Sequence, residues 1–125
     1  MIPFVKAHGN GNDFIIIEDE DGRYDDLELV DLARKVCRRR VSLGADGLLV
    51  LGSSKDFDFS MRLFNADGSE GKMCGNGIRC VGKYVYEKGL TGSTVISVET
   101  LGGIKYLYLN VENGKVVSVE VDMGK

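Results

Sequence analysis

Residues 64–89 read FNADGSEGKMCGNGIRCVGKYVYEKG, and they combine a polar turn, a cysteine and the start of a helix. The turn spans Asn65 to Gly71, where small and polar residues follow one another. Beyond Cys74, the spacing of apolar and small side chains predicts a helix from about Gly77 to Lys88, which Gly89 ends. The small glycine on the apolar face of this helix predicts close packing against a neighbouring element. That face carries Ile78, Val81, Gly82 and Val85.

Strands are predicted on both sides of this segment. Before it, apolar and polar residues alternate from Phe57 to Leu63, which is typical of a half-buried strand. Two earlier runs, Phe14 to Ile17 and Leu48 to Leu51, are apolar without a break and predict strands that are covered on both faces. Asn113-Gly114 predicts a type I′ hairpin turn near the end of the chain. The remaining strands are predicted at Ile2–Ala7, Val95–Thr100, Ile104–Val111 and Val116–Val121.

Another helix is predicted from about Leu27 to Arg40, with Asp25 or Asp26 as its N-cap. Cys37 falls on the apolar stripe of this helix, so we expect it to be a buried packing residue. The chain thus contains about seven strands and two helices, and the strands come in runs rather than in strict alternation with helices. This pattern favours an α+β fold. A length of 125 residues suits a single domain.

Composition and charge argue against several classes of protein. The net charge of −3 provides no basic surface for nucleic acid, and the run from Arg38 to Arg40 is interpreted as cations that complement the end of a helix. No apolar run approaches the ~20 residues that a membrane-spanning helix needs. The three cysteines, an odd number, fit a reducing compartment better than a disulfide framework. We therefore expect a cytoplasmic protein that binds neither nucleic acid nor a membrane.

Cys74 is the strongest candidate for chemistry. It directly precedes a glycine-rich helix start, where unpaired N–H groups and the positive end of the helix dipole favour a thiolate. We expect its pKa to lie below the usual cysteine value of about 8.5. The same N–H groups would hold a substrate carboxylate, and a thiolate beside a carboxylate site suits proton abstraction next to the carboxyl group of an amino acid. A structural cysteine in a turn is the alternative interpretation.

Metal and phosphate sites fit the sequence less well. Cys80 lies further along the helix, where the dipole effect has faded, and is predicted to be packed rather than reactive. Cys74 and Cys80, with His8 as the single histidine, do not form a standard zinc ligand set, so no metal is predicted. No Gly-Lys-Ser/Thr follows the glycines, as a phosphate-binding loop would require.

Three segments of the sequence resemble diaminopimelate epimerases, and their order and spacing agree with that family. The segments are His8–Phe14, Gly44–Gly47 and Asn65–Cys80. The resemblance extends from about Pro3 to Gly124. Proline racemases are similar in placing a cysteine before a glycine-rich turn, but the residues around it differ, and phenazine-biosynthesis isomerases are not expected to have the thiol. The resemblance implies a mixed, mostly antiparallel sheet wrapped around a central helix.

The resemblance also implies an activity. Diaminopimelate epimerases interconvert LL- and meso-diaminopimelate, in lysine and peptidoglycan precursor biosynthesis, without pyridoxal phosphate, metal or any other cofactor. Two cysteines face the α-carbon from opposite sides, and one removes the proton while the other returns one. Cys74 matches the first of these, and the second belongs to a C-terminal half-domain. Residues 1–125 are therefore interpreted as a single N-terminal catalytic half-domain from which the C-terminal half-domain is absent.

Four further residues are predicted to bind the substrate on the strength of the same resemblance. Asn12 and Asn65 would hydrogen-bond the distal amino-acid end of diaminopimelate or its backbone. Gly75 and Asn76 would donate backbone N–H groups to the reacting α-carboxylate, where negative charge increases as the carbanion forms. Gly47 matches a position where some members carry Gln, and it has no side chain with which to bind.

Three other hypotheses remain open from the sequence. Two copies of the chain could pair as a homodimer, so that each Cys74 plays one of the two roles. The chain could instead be a racemase of another amino acid on the same fold, such as proline or glutamate. It could also be a non-catalytic binding module that has kept the fold. On the leading hypothesis, the isolated half should lack epimerase activity because the second acid/base is absent.

Overall fold

The computed structural model describes residues 5–9, 12–19, 24–37, 46–71 and 75–122, and it describes only the backbone of His8, Gly9, Asn12 and Val36. These parts of the chain form one eight-stranded sheet and two helices, which confirms the predicted α+β class. The strands are β1 (Val5–Gly9), β2 (Asn12–Glu18), β3 (Gly47–Gly52), β4 (Phe59–Asn65), β5 (Glu70–Gly71), β6 (Val95–Thr100), β7 (Gly103–Glu112) and β8 (Lys115–Asp122). The helices are α1 (Asp26–Val36) and α2 (Gly75–Glu87).

The sheet curls around α2. Its strand order is β1-β2-β3-β4-β6-β7-β8, and β5 pairs with β4. The β2–β3 and β4–β6 pairs are parallel, and the other pairs of the described sheet are antiparallel. Helix α2 contacts both end strands, β1 and β8, as well as β2, β3 and β7. The predicted sheet around a central helix is therefore confirmed.

The small residue in α2 permits this close packing. A Cβ atom built on Gly82 would lie 3.1 Å from Leu109 Cδ2 and 3.2 Å from Leu107 Cδ1, so a larger side chain would push the helix off the sheet. Ile78, Val81 and Val85 are fully buried in the same core, together with apolar side chains from β2, β3, β4, β6, β7 and β8. The prediction that these residues form the apolar face of α2 is therefore confirmed.

Strands β2 and β3 are covered on both faces, as their unbroken apolar runs predicted. Phe14, Ile16, Leu49 and Leu51 belong to the core around α2. The alternate residues Ile15, Ile17, Leu48 and Val50 belong to a second core, which includes Leu29, Ala33 and Cys37 from α1 and the residue after it. The alternation follows from the two-residue repeat of a strand, which points successive side chains to opposite faces.

Helix α1 begins where its sequence predicts. Asp25 is the N-cap: its side chain accepts a 2.8 Å hydrogen bond from the N–H of Glu28, while the Glu28 side chain accepts one from the N–H of Asp25. The helix ends at Val36, with Cys37 as its C-cap, and Cys37 is buried as expected. The predicted continuation through Arg38 to Arg40 lies outside the described residues.

Several boundaries differ from the predictions. Strand β4 runs from Phe59 to Asn65, two residues later than the alternation suggested, because Phe64 and Asn65 still pair with β3. Helix α2 begins at Gly75 rather than Gly77. Strand β2 begins at Asn12 rather than at Phe14, since Asn12 and Asp13 pair with Gly9 and His8 of β1. The predicted hairpin turn is confirmed by positive φ angles of 52° and 77° at Asn113 and Gly114. Neither described helix is long and apolar enough to cross a membrane.

Candidate active site at the start of helix α2

The three segments singled out in the sequence converge on one part of the sheet. Phe14 of β2 pairs with Gly47 of β3, and Gly47 pairs with Asn65 of β4. Asn12 lies two residues before Phe14 on the same strand, so its backbone lies near this row. A Cβ atom built on Gly47 would lie 3.3 Å from Phe14 Cδ1 and 3.3 Å from the Phe64 carbonyl oxygen, so the row leaves little space for a side chain there.

A pair of reciprocal hydrogen bonds joins the first segment to the second. The backbone N–H of Asp13 donates to Asp46 Oδ2 at 2.7 Å, and the backbone N–H of Asp46 donates to the Asp13 carbonyl oxygen at 2.7 Å. These contacts hold the start of β3 beside β2. Sequence reasoning included Asp46 in the Gly44–Gly47 segment but gave it no partner, because a contact across 33 residues leaves no local signal.

The turn after β4 presents Asn65 to solvent. The N–H of Asn65 donates to the Ser69 carbonyl oxygen at 2.7 Å, and the N–H of Gly68 donates to the Asn65 carbonyl oxygen at 2.9 Å. The Asn65 side chain is exposed, and its Nδ2 lies 3.7 Å from a Cβ atom built on Gly71. The chain therefore turns back beside Asn65 shortly before it enters α2.

The predicted anion-binding groups belong to the start of α2. Gly75 and Asn76 are its first two residues and are half-buried, and its first turn contains no acidic side chain. The N–H groups of the first turn have no carbonyl partner within the helix, and the helix dipole adds positive potential there. The exposed Arg79 adds a positive charge, since its Nη1 lies 3.4 Å from a Cβ atom built on Gly75 and its Nε donates to the Val119 carbonyl oxygen at 3.3 Å. Sequence reasoning missed this role of Arg79, although its position four residues after Gly75 on a helix was a usable signal.

Of the five predicted site residues, three lie among the residues that the structure describes: Asn65, Gly75 and Asn76. Cys74, the residue immediately before Gly75, lies outside the described residues, and so does the side chain of Asn12. Cys80, predicted to be packed, is buried with 7% of its surface exposed. Among the described residues, no group of three His, Cys, Asp or Glu side chains could hold a metal ion.

The opposite end of α2 is tied to β2 by a polar trio. The Tyr84 hydroxyl donates a hydrogen bond to Glu18 Oε2, and Lys88 Nζ lies 2.9 Å from the Tyr84 oxygen and 3.2 Å from Glu18 Oε2. The hydrogen bond from Tyr84 lowers the pKa of Glu18, against the opposing effect of burial, and Lys88 lowers it further. Burial and then the adjacent carboxylate raise the pKa of Tyr84. The trio helps to hold α2, which begins at Gly75, against the sheet.

Replacing Tyr84 with phenylalanine should lower the free energy of unfolding by about 1 kcal/mol near neutral pH, because a partly exposed hydrogen bond to a carboxylate is lost. A carboxyl group with a lowered pKa stabilises the fold above its usual value of 4.5 and loses that contribution as the pH falls below it. The difference between the variant and the native chain should therefore shrink below pH 4.5. Urea unfolding of both proteins near neutral pH and below pH 4.5 measures this difference in the free energy of unfolding.

Tyr86→Phe is the matched control, because Tyr86 lies on the same helix and is half-buried. It should unfold like the native chain at both pH values. A Tyr84→Phe loss that stays the same on acidification would contradict a role for the Glu18 carboxylate.

A groove of about 510 Å³ lies beside the C-terminal half of α2, away from the helix start. Its lining includes Cys80, Lys83 and Lys115, and it includes none of Asn65, Gly75 and Asn76. The groove is therefore not part of the candidate site at the start of α2.

Sequence comparison supports the family suggested by the three segments. The model of the diaminopimelate epimerase family matches residues 4–125. The diaminopimelate epimerase of Caldanaerobacter subterraneus is 54% identical over 121 residues, which cover 97% of this chain and 43% of that protein. The diaminopimelate epimerase of Phocaeicola vulgatus is 53% identical over 123 residues, which cover 98% of this chain and 43% of that protein. The chain therefore spans less than half the length of these relatives.

Solved structures agree with the fold. A probable proline racemase from Agrobacterium radiobacter superposes with a TM-score of 0.75 at 17% identity, over 97% of this chain and 41% of that one. A hydroxyproline epimerase from Agrobacterium vitis superposes with a TM-score of 0.72 at 16% identity, over 94% of this chain and 40% of that one. At these identities the likeness concerns the fold alone. Because the family model covers nearly the whole chain, this chain belongs to the diaminopimelate epimerase family.

Proposed function

We propose that this chain is one half of an amino-acid epimerase that interconverts LL- and meso-diaminopimelate, with Cys74 as one of two acid/base residues. The observation that supports it most directly is the start of α2 at Gly75, immediately after Cys74, with Arg79 beside it. The helix start would stabilise a thiolate at Cys74 and a carboxylate bound at Gly75 and Asn76. The names of the two relatives, both diaminopimelate epimerases, support this choice of substrate.

The proposed reaction needs no cofactor. The Cys74 thiolate removes the α-proton and becomes a thiol, while the electron pair of the C–H bond passes to the α-carbon and its carboxylate. The N–H groups of Gly75 and Asn76 stabilise this added negative charge, which is greater in the transition state than in the bound substrate. A thiol on the opposite face then gives its proton to the α-carbon, which inverts the centre.

The second acid/base is proposed to come from a C-terminal half-domain, because the relatives are more than twice as long as this chain. We expect the isolated chain to be inactive, since a single group on one face cannot return a proton to the other. Closure of the two halves would also remove water from the start of α2. We expect the enzyme to act in the cytoplasm, in lysine and peptidoglycan precursor biosynthesis.

The test uses two proteins: the chain alone, and a fusion in which it replaces the matching part of the Caldanaerobacter subterraneus relative. Each is incubated with LL-diaminopimelate in D₂O, and deuterium at the α-carbon is followed by mass spectrometry. We expect exchange with formation of the meso isomer by the fusion, and no meso isomer from the chain alone. Proline serves as a second substrate, because two solved structures of this fold are named as proline-type enzymes.

The alternatives give different results. Exchange by the chain alone that is second order in chain concentration would indicate a homodimer with two Cys74 residues. Exchange with proline but not with diaminopimelate would indicate a racemase of another amino acid. A folded fusion without exchange on either substrate would leave a non-catalytic binding module.

A further inference from the structure

The side chain of Asn65 is held by one neighbour in the turn that follows β4. Asn65 Nδ2 donates to Ser69 Oγ at 3.1 Å. Ser69 in turn donates to one oxygen of Asp67, through its Oγ at 2.6 Å and its backbone N–H at 2.9 Å. The three side chains form a short relay on the exposed surface of the turn.

The direction of each hydrogen bond in this relay follows from the charge on Asp67. An ionised carboxylate can only accept hydrogen bonds, so the Ser69 hydroxyl must donate its single O–H to Asp67. The Ser69 oxygen then has only acceptor capacity left, and it must face an N–H group. Of the two ends of the Asn65 amide, only Nδ2 can satisfy it.

The charge on Asp67 is itself well supported. The hydrogen bonds from Ser69, first from its side chain and then from its backbone, lower the pKa of Asp67, and Arg34 lowers it further. Arg34 of α1 also donates from Nε to the Asp67 carbonyl oxygen at 2.8 Å, which braces the turn against the helix. Asp67 therefore stays an acceptor throughout the neutral range.

We propose that Asp67 and Ser69 are positioning residues that fix the orientation of the Asn65 amide, so that Asn65 presents its Oδ1 acceptor to the substrate. Within the described residues, Asn65 Oδ1 accepts no hydrogen bond from the protein. An acceptor at this place favours a cationic donor, such as the ammonium group at the distal end of diaminopimelate, and disfavours a carboxylate. The inference rests on the proposed function, since it assigns a specificity to the same site.

The consequence can be measured with two substrates in the fusion protein. LL-diaminopimelate has a distal ammonium group, and L-2-aminopimelate has the same chain without it. The preference is the ratio of their kcat/KM values for α-deuterium exchange. In Ser69→Ala the amide loses its partner and can turn either end outward, so we expect this ratio to fall about tenfold, as for a lost hydrogen bond to a charged group.

Matched variants separate positioning from folding. Ser69→Thr keeps the hydroxyl and should keep the preference. Ser69→Cys keeps the size but has only weak hydrogen-bonding capacity, so it should lose the preference even if Ser69→Ala fails to fold. Ser97→Ala is the control, because Ser97 donates its N–H and Oγ to one oxygen of Asp58 in the same way, while its Oγ accepts from the backbone N–H of Asp58 rather than from a side-chain amide. It should leave the ratio unchanged.

Two results would overturn the inference in an active fusion. One is an unchanged ratio in folded Ser69→Ala or Ser69→Cys, and the other is an equal loss of kcat/KM on both substrates, which would indicate a purely structural role. If the fusion with the unsubstituted chain shows no exchange at all, the proposed function is refuted, and this inference fails with it.

Discussion

Replacing Cys74 with alanine in the fusion protein should reduce α-deuterium exchange from LL-diaminopimelate by about 10³-fold. The expected loss is large because none of the described side chains at the start of α2 can take a proton from carbon: Arg79 is a cation, and Gly75 and Asn76 provide only N–H and amide groups. Binding of the substrate should change much less, since the carboxylate donors remain. Single-turnover exchange and equilibrium binding measure the two effects separately.

Cys37→Ala and Cys80→Ala are the controls for loss of a thiol. Both cysteines are buried in cores, at 4% and 7% exposure, so each variant should lose about 1 kcal/mol of stability and keep its exchange rate. Exchange at the native rate by Cys74→Ala would refute the assignment of Cys74 as an acid/base residue. A large loss of exchange in Cys80→Ala, with the fold intact, would indicate that Cys80 takes part in the reaction.

Replacing Gly68 with alanine should lower the free energy of unfolding by about 3 kcal/mol, from two causes that add. The φ angle of Gly68 is +93°, which L-residues rarely adopt. A Cβ atom there would also lie 2.8 Å from Val30 Cγ1 and 2.8 Å from Arg34 Nε, both on α1. The turn that carries Asn65 would have to move away from the helix, and we expect substrate affinity in the fusion to fall with stability.

Two other glycines separate these causes. Gly89 has a φ angle of +81° and open space around its Cβ position, so Gly89→Ala should cost only the backbone strain, about 1 kcal/mol. Gly92 has neither the positive φ nor a close neighbour, so Gly92→Ala should be close to neutral. Urea unfolding of the three variants should rank them in that order. A Gly68→Ala variant no less stable than Gly89→Ala would show that α1 does not restrict the turn.

Local features of the fold were predictable because their causes lie within a few residues. The capping box at Asp25 and Glu28 and the positive φ angles at Asn113 and Gly114 depend on contacts between near neighbours. The unbroken apolar runs in β2 and β3 indicated two covered faces, and both faces are covered. The boundaries that moved, such as the end of β4, depend on pairing with a strand from elsewhere in the chain.

The candidate site was predictable in part. Resemblance to the family predicted Asn65, Gly75 and Asn76 as binding residues, and the structure places Asn65 at the end of β4 and the other two at the start of α2. The supporting residues were missed. Ser69 and Asp67 carried a weak signal, because Asp followed two residues later by Ser is typical of a side-chain-capped turn. Arg34 carried none, since nothing in the sequence links it to a turn 33 residues away.

By itself, the sequence determined the α+β class, the two helices, the hairpin turn, the family and the place of Cys74 before a helix. Each of these depends on backbone sterics, on hydrogen bonds within a few residues or on a motif that is continuous along the chain. Only the tertiary structure decided which strands lie side by side, that Gly47 separates Phe14 from Asn65, and that Tyr84 meets Glu18 across 66 residues. Such contacts form because two cores and one curled sheet must be packed at once, and many local patterns are compatible with more than one such packing.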